Sequence, residues 1–233
     1  MIKLYENDPY LKNFEAEIKN IDKENELISL NKTAFYGKGG GQPGDIGTII
    51  NNKVKIEVKE TIKIEEEIFH KVDTLKGLNI GEKIQGYINW KKRYQYMRMH
   101  TALHLLCAVV PMGVTGGQIG EIKSRLDFNA DSTSIKKEEI QEALNHILKN
   151  NHAITYKWIE NSELEKKPEL VRTMLVKPPS INAKIRLVQI GDIDLQPCGG
   201  THVNNTSEIG SIIIGKIENK GKMNRRINIS LND

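Results

Sequence analysis

Residues 90–110 read WKKRYQYMRMHTALHLLCAVV, a run without glycine or proline that is stopped by Pro111 and Gly113. Nothing in it interrupts the backbone before the proline, so it is expected to form a single helix. Its first half is basic. Its second half, from Ala102 onward, is apolar almost all the way round apart from His104, and a helix stretch with no polar face must be enclosed by the rest of a domain. The segment also divides the chain, because the residues before it show no helical period.

Upstream, short alternating runs are separated by turn residues: Phe14, Ala16 and Ile18, then Val54, Ile56 and Val58 after Asn51 and Asn52, then residues 62–64 and 84–88 with Gly77 and Gly81 between them. A period of two is the mark of half-buried strands, so residues 1–89 are expected to form a small N-terminal β-barrel domain. Downstream, residues 135–149 carry Ile140, Ala143, Leu144, Ile147 and Leu148 at helical spacing, with Ser134 as the expected N-cap. Strand candidates lie at residues 121–128, 154–158, 185–190, 212–216 and 227–231, the last two forming a hairpin that turns at residues 219–221. Residues 90–233 therefore read as an α+β sandwich, and the whole chain as an α+β protein with its boundary before Trp90.

Composition narrows the class. Hydrophobic residues make up 38% and charged residues 27%, and no apolar run nears the roughly 20 residues of a membrane helix, so a spanning segment is excluded. The N-terminus lacks a basic leader with an apolar stretch behind it, which points to the cytoplasm. There the only two cysteines, Cys107 and Cys198, are poor material for a disulfide, and each needs its own explanation. The net charge of +4 is compatible with a polyanionic partner without requiring one. Its distribution is more telling: Lys91, Lys92, Arg93 and Arg98 crowd one stretch, and Lys216, Lys220, Lys222, Arg225 and Arg226 another. Either cluster is a solvated face or a phosphate contact.

His100 and His104 stand four residues apart on the expected helix, so their rings share one face at about 5 to 6 Å between Cβ atoms and can share one ion. A lone pair of this kind is as readily two packed histidines. Cys198 and His202 repeat the four-residue separation in QPCGGTHV, where Gly199 and Gly200 favour a tight loop after a strand. Together the two pairs use three of the six histidines and one of the two cysteines, which makes coincidence the weaker explanation. One thiolate and three imidazoles suit zinc better than magnesium or calcium. Cys107 fits an ordinary buried thiol, and His70, His146 and His152 are expected at the surface.

Several reactions are disfavoured by what is missing. The helix pair reads HTALH, without the glutamate that serves as base in HExxH peptidases. A metal-bound Cys198 is poorly available as a nucleophile. In FYGKGGGQPGD, residues 35–45, the lysine precedes the glycines, so the phosphate-loop order fails and a turn between two strands is favoured. Four protein ligands suggest a structural zinc, whereas a catalytic zinc keeps a position open; spacing alone leaves both readings standing.

Taken in order, FYGKGGGQPGD, HTALH, GGQIG at residues 116–120 and CGGTH at residues 198–202 resemble the editing domain of alanyl-tRNA synthetases and its free-standing relatives, the AlaX proteins. The resemblance covers most of the chain. It implies an N-terminal barrel beside an editing domain, zinc ligation by His100, His104, Cys198 and His202, and Gln118 near the aminoacyl group with Gln42 close by. The implied activity is hydrolysis in trans of serine from mischarged alanine tRNA, with glycine on that tRNA as a further substrate to test. At Leu103 the chain departs from the synthetases, which carry a threonine there, so Thr101 and Gln118 become the candidates for contacting the serine hydroxyl. Lys91, Lys92, Arg93, Arg225 and Arg226 are then expected to contact the tRNA backbone. Two alternatives remain: editing of serine on threonine tRNA, and a zinc-stapled tRNA-binding module without catalysis.

Overall fold

The computed structural model of the protein describes residues 1–131, 136–174, 180–181 and 184–232. The chain separates into two compact units, Met1–Gln95 and Tyr96–Asp233. Among the described residues no helix is long and apolar enough to cross a membrane.

The first unit is built on strands β1 (Ile2–Lys3), β2 (Asn13–Asp22), β3 (Leu27–Leu30), β4 (Lys32–Thr33), β5 (Gly47–Ile50), β6 (Lys55–Ile64), β7 (Glu67–Val72) and β8 (Lys83–Ile88). Six of them close a barrel in the order β2-β3-β7-β6-β5-β8, with β8 returning to β2, and β1 pairs with β4 outside it. The expected barrel is present, and the alternating residues do what their period implies. Phe14, Ala16 and Ile18 of β2, Ile56 and Val58 of β6 and Ile84 and Ile88 of β8 enter one core with Phe35 and Ile49.

Three barrel strands lack a clear sequence signal, each for a local reason. β3 is buried along its whole length, so Leu27, Ile28, Ser29 and Leu30 show no alternation. β5 is short. β7 turns His70 inward at an apolar position, contrary to the expectation that this histidine lies on the surface. The ring is neutral by design: Nδ1 donates to the Ile28 carbonyl at 3.2 Å and Nε2 accepts from the Thr33 hydroxyl at 2.9 Å. Burial drives its pKa down to about 4, against the opposing pull of the Ile28 carbonyl.

The glycine-rich segment at residues 35–45 joins β4 to β5, as the turn reading anticipated. Gly39 and Gln42 exchange backbone hydrogen bonds across Gly40 and Gly41, which both have positive φ, a geometry that residues with a Cβ adopt reluctantly. Gly44 is required by contact, since a Cβ there would sit 1.9 Å from the Thr61 carbonyl oxygen. The segment ends on Asp45, whose carboxylate accepts from the Tyr36 N–H at 2.6 Å and from the Arg93 guanidinium through Nε and Nη2. Arg93 also donates to the Pro9 and Ala34 carbonyls at 2.9 and 2.6 Å and is fully buried. The expectation that it contacts tRNA is therefore corrected: every direction in which its fork points is already taken.

Helix α1 (Trp90–Val109) matches the expected run. The division between units falls inside it and not before it, because its first turn belongs to the barrel unit: Arg93 bonds there, and Trp90 packs with Tyr10 and Tyr94 at centroid distances of 5.4 and 5.5 Å. From Met97 onward Met99, Ala102, Leu103, Leu105, Leu106 and Cys107 are all buried.

The second unit continues with β9 (Val114–Gln118), β10 (Lys123–Phe128), α2 (Lys137–Leu148), β11 (Ile154–Glu160), α3 (Asn161–Glu165), β12 (Ser180–Ile181), β13 (Lys184–Ile190), β14 (Asp194–Pro197), β15 (Ser211–Gly221) and β16 (Asn224–Asn232). One antiparallel sheet runs β15-β16-β10-β9, and a second is centred on β13, flanked by β11 on one edge and by β12 and β14 on the other. The five expected strands and the second helix are present; Ser134, its expected cap, lies outside the described residues. The hairpin turns at residues 222–223, beyond the expected point, because pairing continues to Gly221 and Asn224. Arg225 reinforces that end by donating from Nη1 to Asn219 Oδ1 and to the Gly221 and Asn224 carbonyls.

Candidate metal centre

The four candidate ligands come from two local structures. Helix geometry sets His100 and His104 one turn apart, with ring centroids 5.2 Å from each other. Strand β14 supplies the approach to the CGGTH loop, which carries Cys198 and His202. The loop is braced on β13: the Cys198 N–H donates to the Arg186 carbonyl at 3.0 Å, and Arg186 reaches across to donate to the Gly200 carbonyl. Its guanidinium lies over the Tyr156 ring at 4.5 Å. This bracing turns both side chains toward α1.

The two pairs meet. One ligand atom from each of His100, His104, Cys198 and His202 lies within 4.8 Å of all the others, and Cys198 Sγ is 3.4 Å from His100 Nε2 and 3.3 Å from His202 Nε2. Donors bound to one tetrahedral zinc at ordinary bond lengths stand about 3.3 to 3.8 Å apart, so the two Cys198 separations suit such an ion. Ring orientation fits as well. His104 Nδ1 meets Asp194 Oδ2 at 3.1 Å and His202 Nδ1 meets Thr101 Oγ1 at 3.2 Å, which leaves Nε2 of both rings turned inward as lone-pair donors. The Gly200 N–H donates to Cys198 Sγ at 3.3 Å, as suits a thiolate.

The metal-free cluster also shifts the protonation of its members. Burial opposes ionisation of Cys198, yet the charges of His100 and His202 hold its pKa well below that of an ordinary thiol. His202 is pushed well down by burial and by its like-charged neighbours His100 and His104. Burial would also lower His104, but Asp194 and Cys198 outweigh it and raise its pKa to about 9. Cys107 behaves as the buried thiol expected of it, with its pKa raised to about 12 chiefly by desolvation.

The other expected site residues are distributed differently. Thr101 is fully buried, donating to the Met97 carbonyl at 2.9 Å and receiving the His202 ring and the Val203 N–H. Its hydroxyl is thus already engaged inside the protein. Gln42 is fully buried in the glycine-rich segment. Gln118 is exposed on β9, opposite Arg125. Of the basic residues, Lys91 is exposed and Lys92 half-buried. Arg225 is buried in the hairpin end, and Arg226 makes a two-pronged ion pair with Asp127 at 2.8 and 2.9 Å. Two residues at the centre had no place in the sequence reading: Asp194 and Gln196. Their signal is the alternation Asp194, Gln196, Cys198, a polar face on a strand whose neighbours are apolar.

Comparison with known proteins follows the same division. A family model described as threonyl and alanyl tRNA synthetase second additional domain matches residues 185–228, which include the CGGTH loop. Another, described as tRNA synthetases class II (A), matches residues 7–92. The class defined by fold and site is thus that of domains shared with aminoacyl-tRNA synthetases. Over 99% of its length the chain is 36% identical to alanyl-tRNA editing protein AlaX-M of Methanosarcina mazei, covering 96% of that protein. It is 39% identical to the AlaX-M protein of Saccharolobus solfataricus, with 97% and 96% of the two chains aligned. A match of 34% to an alanine–tRNA ligase of Saccharolobus islandicus covers 25% of that longer protein. The chain belongs to the AlaX family of alanyl-tRNA editing proteins.

Proposed function

We propose that this protein hydrolyses the ester joining serine to alanine tRNA, acting in trans, with a zinc ion held by His100, His104, Cys198 and His202. The observation that carries the reading is the meeting of four donor atoms within 4.8 Å, in a chain that aligns end to end with alanyl-tRNA editing proteins. Three imidazoles and a thiolate favour zinc over the oxygen-seeking magnesium and calcium. When bound, the ion supplies a Lewis acid that anchors and orients the ester.

The chain's own residues prepare that site. Helix α1 fixes the spacing of two ligands, the braced loop fixes the other two, and Thr101 and Asp194 hold the ring tautomers. The aminoacyl ester is already activated, so orientation supplies much of the remaining barrier reduction. Selectivity has a simple origin: serine exceeds alanine by one hydroxyl, and a site that hydrogen-bonds this hydroxyl rejects alanine strongly. With Thr101 engaged and Leu103 apolar, the exposed Gln118 is the proposed reader. Lys91 and Lys92 are the proposed phosphate contacts, and replacing both is expected to lower the salt dependence of tRNA binding by about two phosphates' worth.

The test mixes the purified protein with alanine tRNA carrying serine, glycine or alanine and with threonine tRNA carrying serine, alongside His104→Ala. Selective loss of serine from alanine tRNA that disappears in the variant supports the proposal. Equal release from threonine tRNA would overturn the tRNA assignment, and tRNA binding without any ester loss would overturn catalysis.

A further inference from the structure

Two of the cluster's imidazoles are steadied through Nδ1, but by unlike groups. For His202 the partner is the neutral Thr101 hydroxyl; for His104 it is the carboxylate of Asp194, 3.1 Å away. Asp194 opens β14 and is only 4% exposed. Its Oδ2 also accepts from Gln196 Nε2 at 2.7 Å, while Oδ1 is buried without a hydrogen-bond partner among the described residues. A buried carboxylate left half-satisfied is costly unless a positive charge nearby compensates it. A divalent ion bound by one thiolate and three neutral imidazoles keeps one net positive charge. Asp194 supplies the negative charge that would cancel it, across a single imidazole ring.

We propose that Asp194 is a positioning residue of the metal centre, holding His104 with Nε2 toward the ion and bringing the buried ion–thiolate pair to neutrality. The inference rests on the metal-centre reading above. Gln196 has a definite part in it: its amide points the carboxylate at His104. Thr101 does the same orienting work for His202 without charge, so the two acceptors separate orientation from neutralisation.

The experiment uses the full chain and measures affinity for Zn²⁺ alone, in competition with a chromophoric chelator, together with the visible absorption of the Co²⁺-loaded protein. Wild type is compared with Asp194→Asn, which keeps the size and an acceptor oxygen but not the charge, and with Asp194→Glu, which keeps the charge. Asp194→Asn is expected to bind Zn²⁺ about 10- to 100-fold more weakly and to shift the Co²⁺ spectrum. Asp194→Glu is expected to lie closer to wild type. A merely structural role predicts the reverse pattern, lower stability of the metal-free protein with unchanged metal affinity, so urea midpoints of the metal-free proteins are read in parallel. Zn²⁺ affinity of Asp194→Asn within threefold of wild type, with an unchanged Co²⁺ spectrum, overturns this inference and leaves the metal centre standing. Should Asp194→Asn not fold, Asp194→Glu decides: Zn²⁺ affinity closer to wild type than that of Asp194→Ala supports the inference, and affinity equal to that of Asp194→Ala overturns it. Absence of any Zn²⁺ or Co²⁺ binding by wild type overturns both readings at once.

Discussion

Removing the guanidinium at position 93 is expected to destabilise the barrel unit severely without any direct effect on RNA contact. Arg93 and Asp45 are ion-paired with side chains 0% and 1% exposed. In Arg93→Met the Asp45 carboxylate keeps the Tyr36 N–H as a donor but stays buried without its counter-charge, and breaking such a pair from one side costs about 3 to 5 kcal/mol. The carbonyls of Pro9 and Ala34 lose their donor in the same step. At about 4 to 8 °C per kcal/mol for a unit of this size, the lower bound alone moves its thermal midpoint by at least about 12 °C. Adding Asp45→Asn to Arg93→Met removes the stranded charge and leaves the two carbonyls, worth about 1 to 3 kcal/mol each, so the double variant should be more stable than the single one. Urea unfolding followed by circular dichroism measures all three proteins. A single variant within about 1 kcal/mol of wild type, or a double variant no better than the single, would refute the buried-pair reasoning.

Other perturbations probe separate parts of the molecule. His70 is neutral when folded down to about pH 4, whereas in the unfolded chain it takes a proton near pH 6.5. Its contribution is therefore complete above pH 6.5 and is lost as pH falls toward 4; over that window wild type should lose about 3 kcal/mol more than His70→Gln in urea titrations, and equal losses would count against it. Gly44→Ala forces a Cβ against the Thr61 carbonyl, so it should lower stability by more than about 2 kcal/mol, while Gly40→Ala, with open space around it, should cost only its backbone strain. Metal analysis after dialysis should find one ion per chain retained by Cys107→Ala and lost by Cys198→Ala; retention by both would remove Cys198 from the ligand set.

What the sequence could show about this protein is what short-range geometry controls. Four-residue spacing on a helix puts His100 beside His104 whatever surrounds them, period-two runs make barrel strands, and Gly199 and Gly200 make a turn. Lys91, Lys92 and Arg93 look alike as letters, yet the helix sends them in different directions, and only packing decides that Arg93 faces Asp45 while Lys91 faces water. His70 reads as polar and is a core residue, because the Thr33 hydroxyl and the Ile28 carbonyl wait for it on other strands. The same holds at the candidate metal site. Two local pairs were legible one by one, but their meeting, the enclosure of Thr101 and the placing of Asp194 behind His104 depend on contacts between residues about a hundred positions apart, which burial and hydrogen-bond satisfaction select and local spacing does not encode.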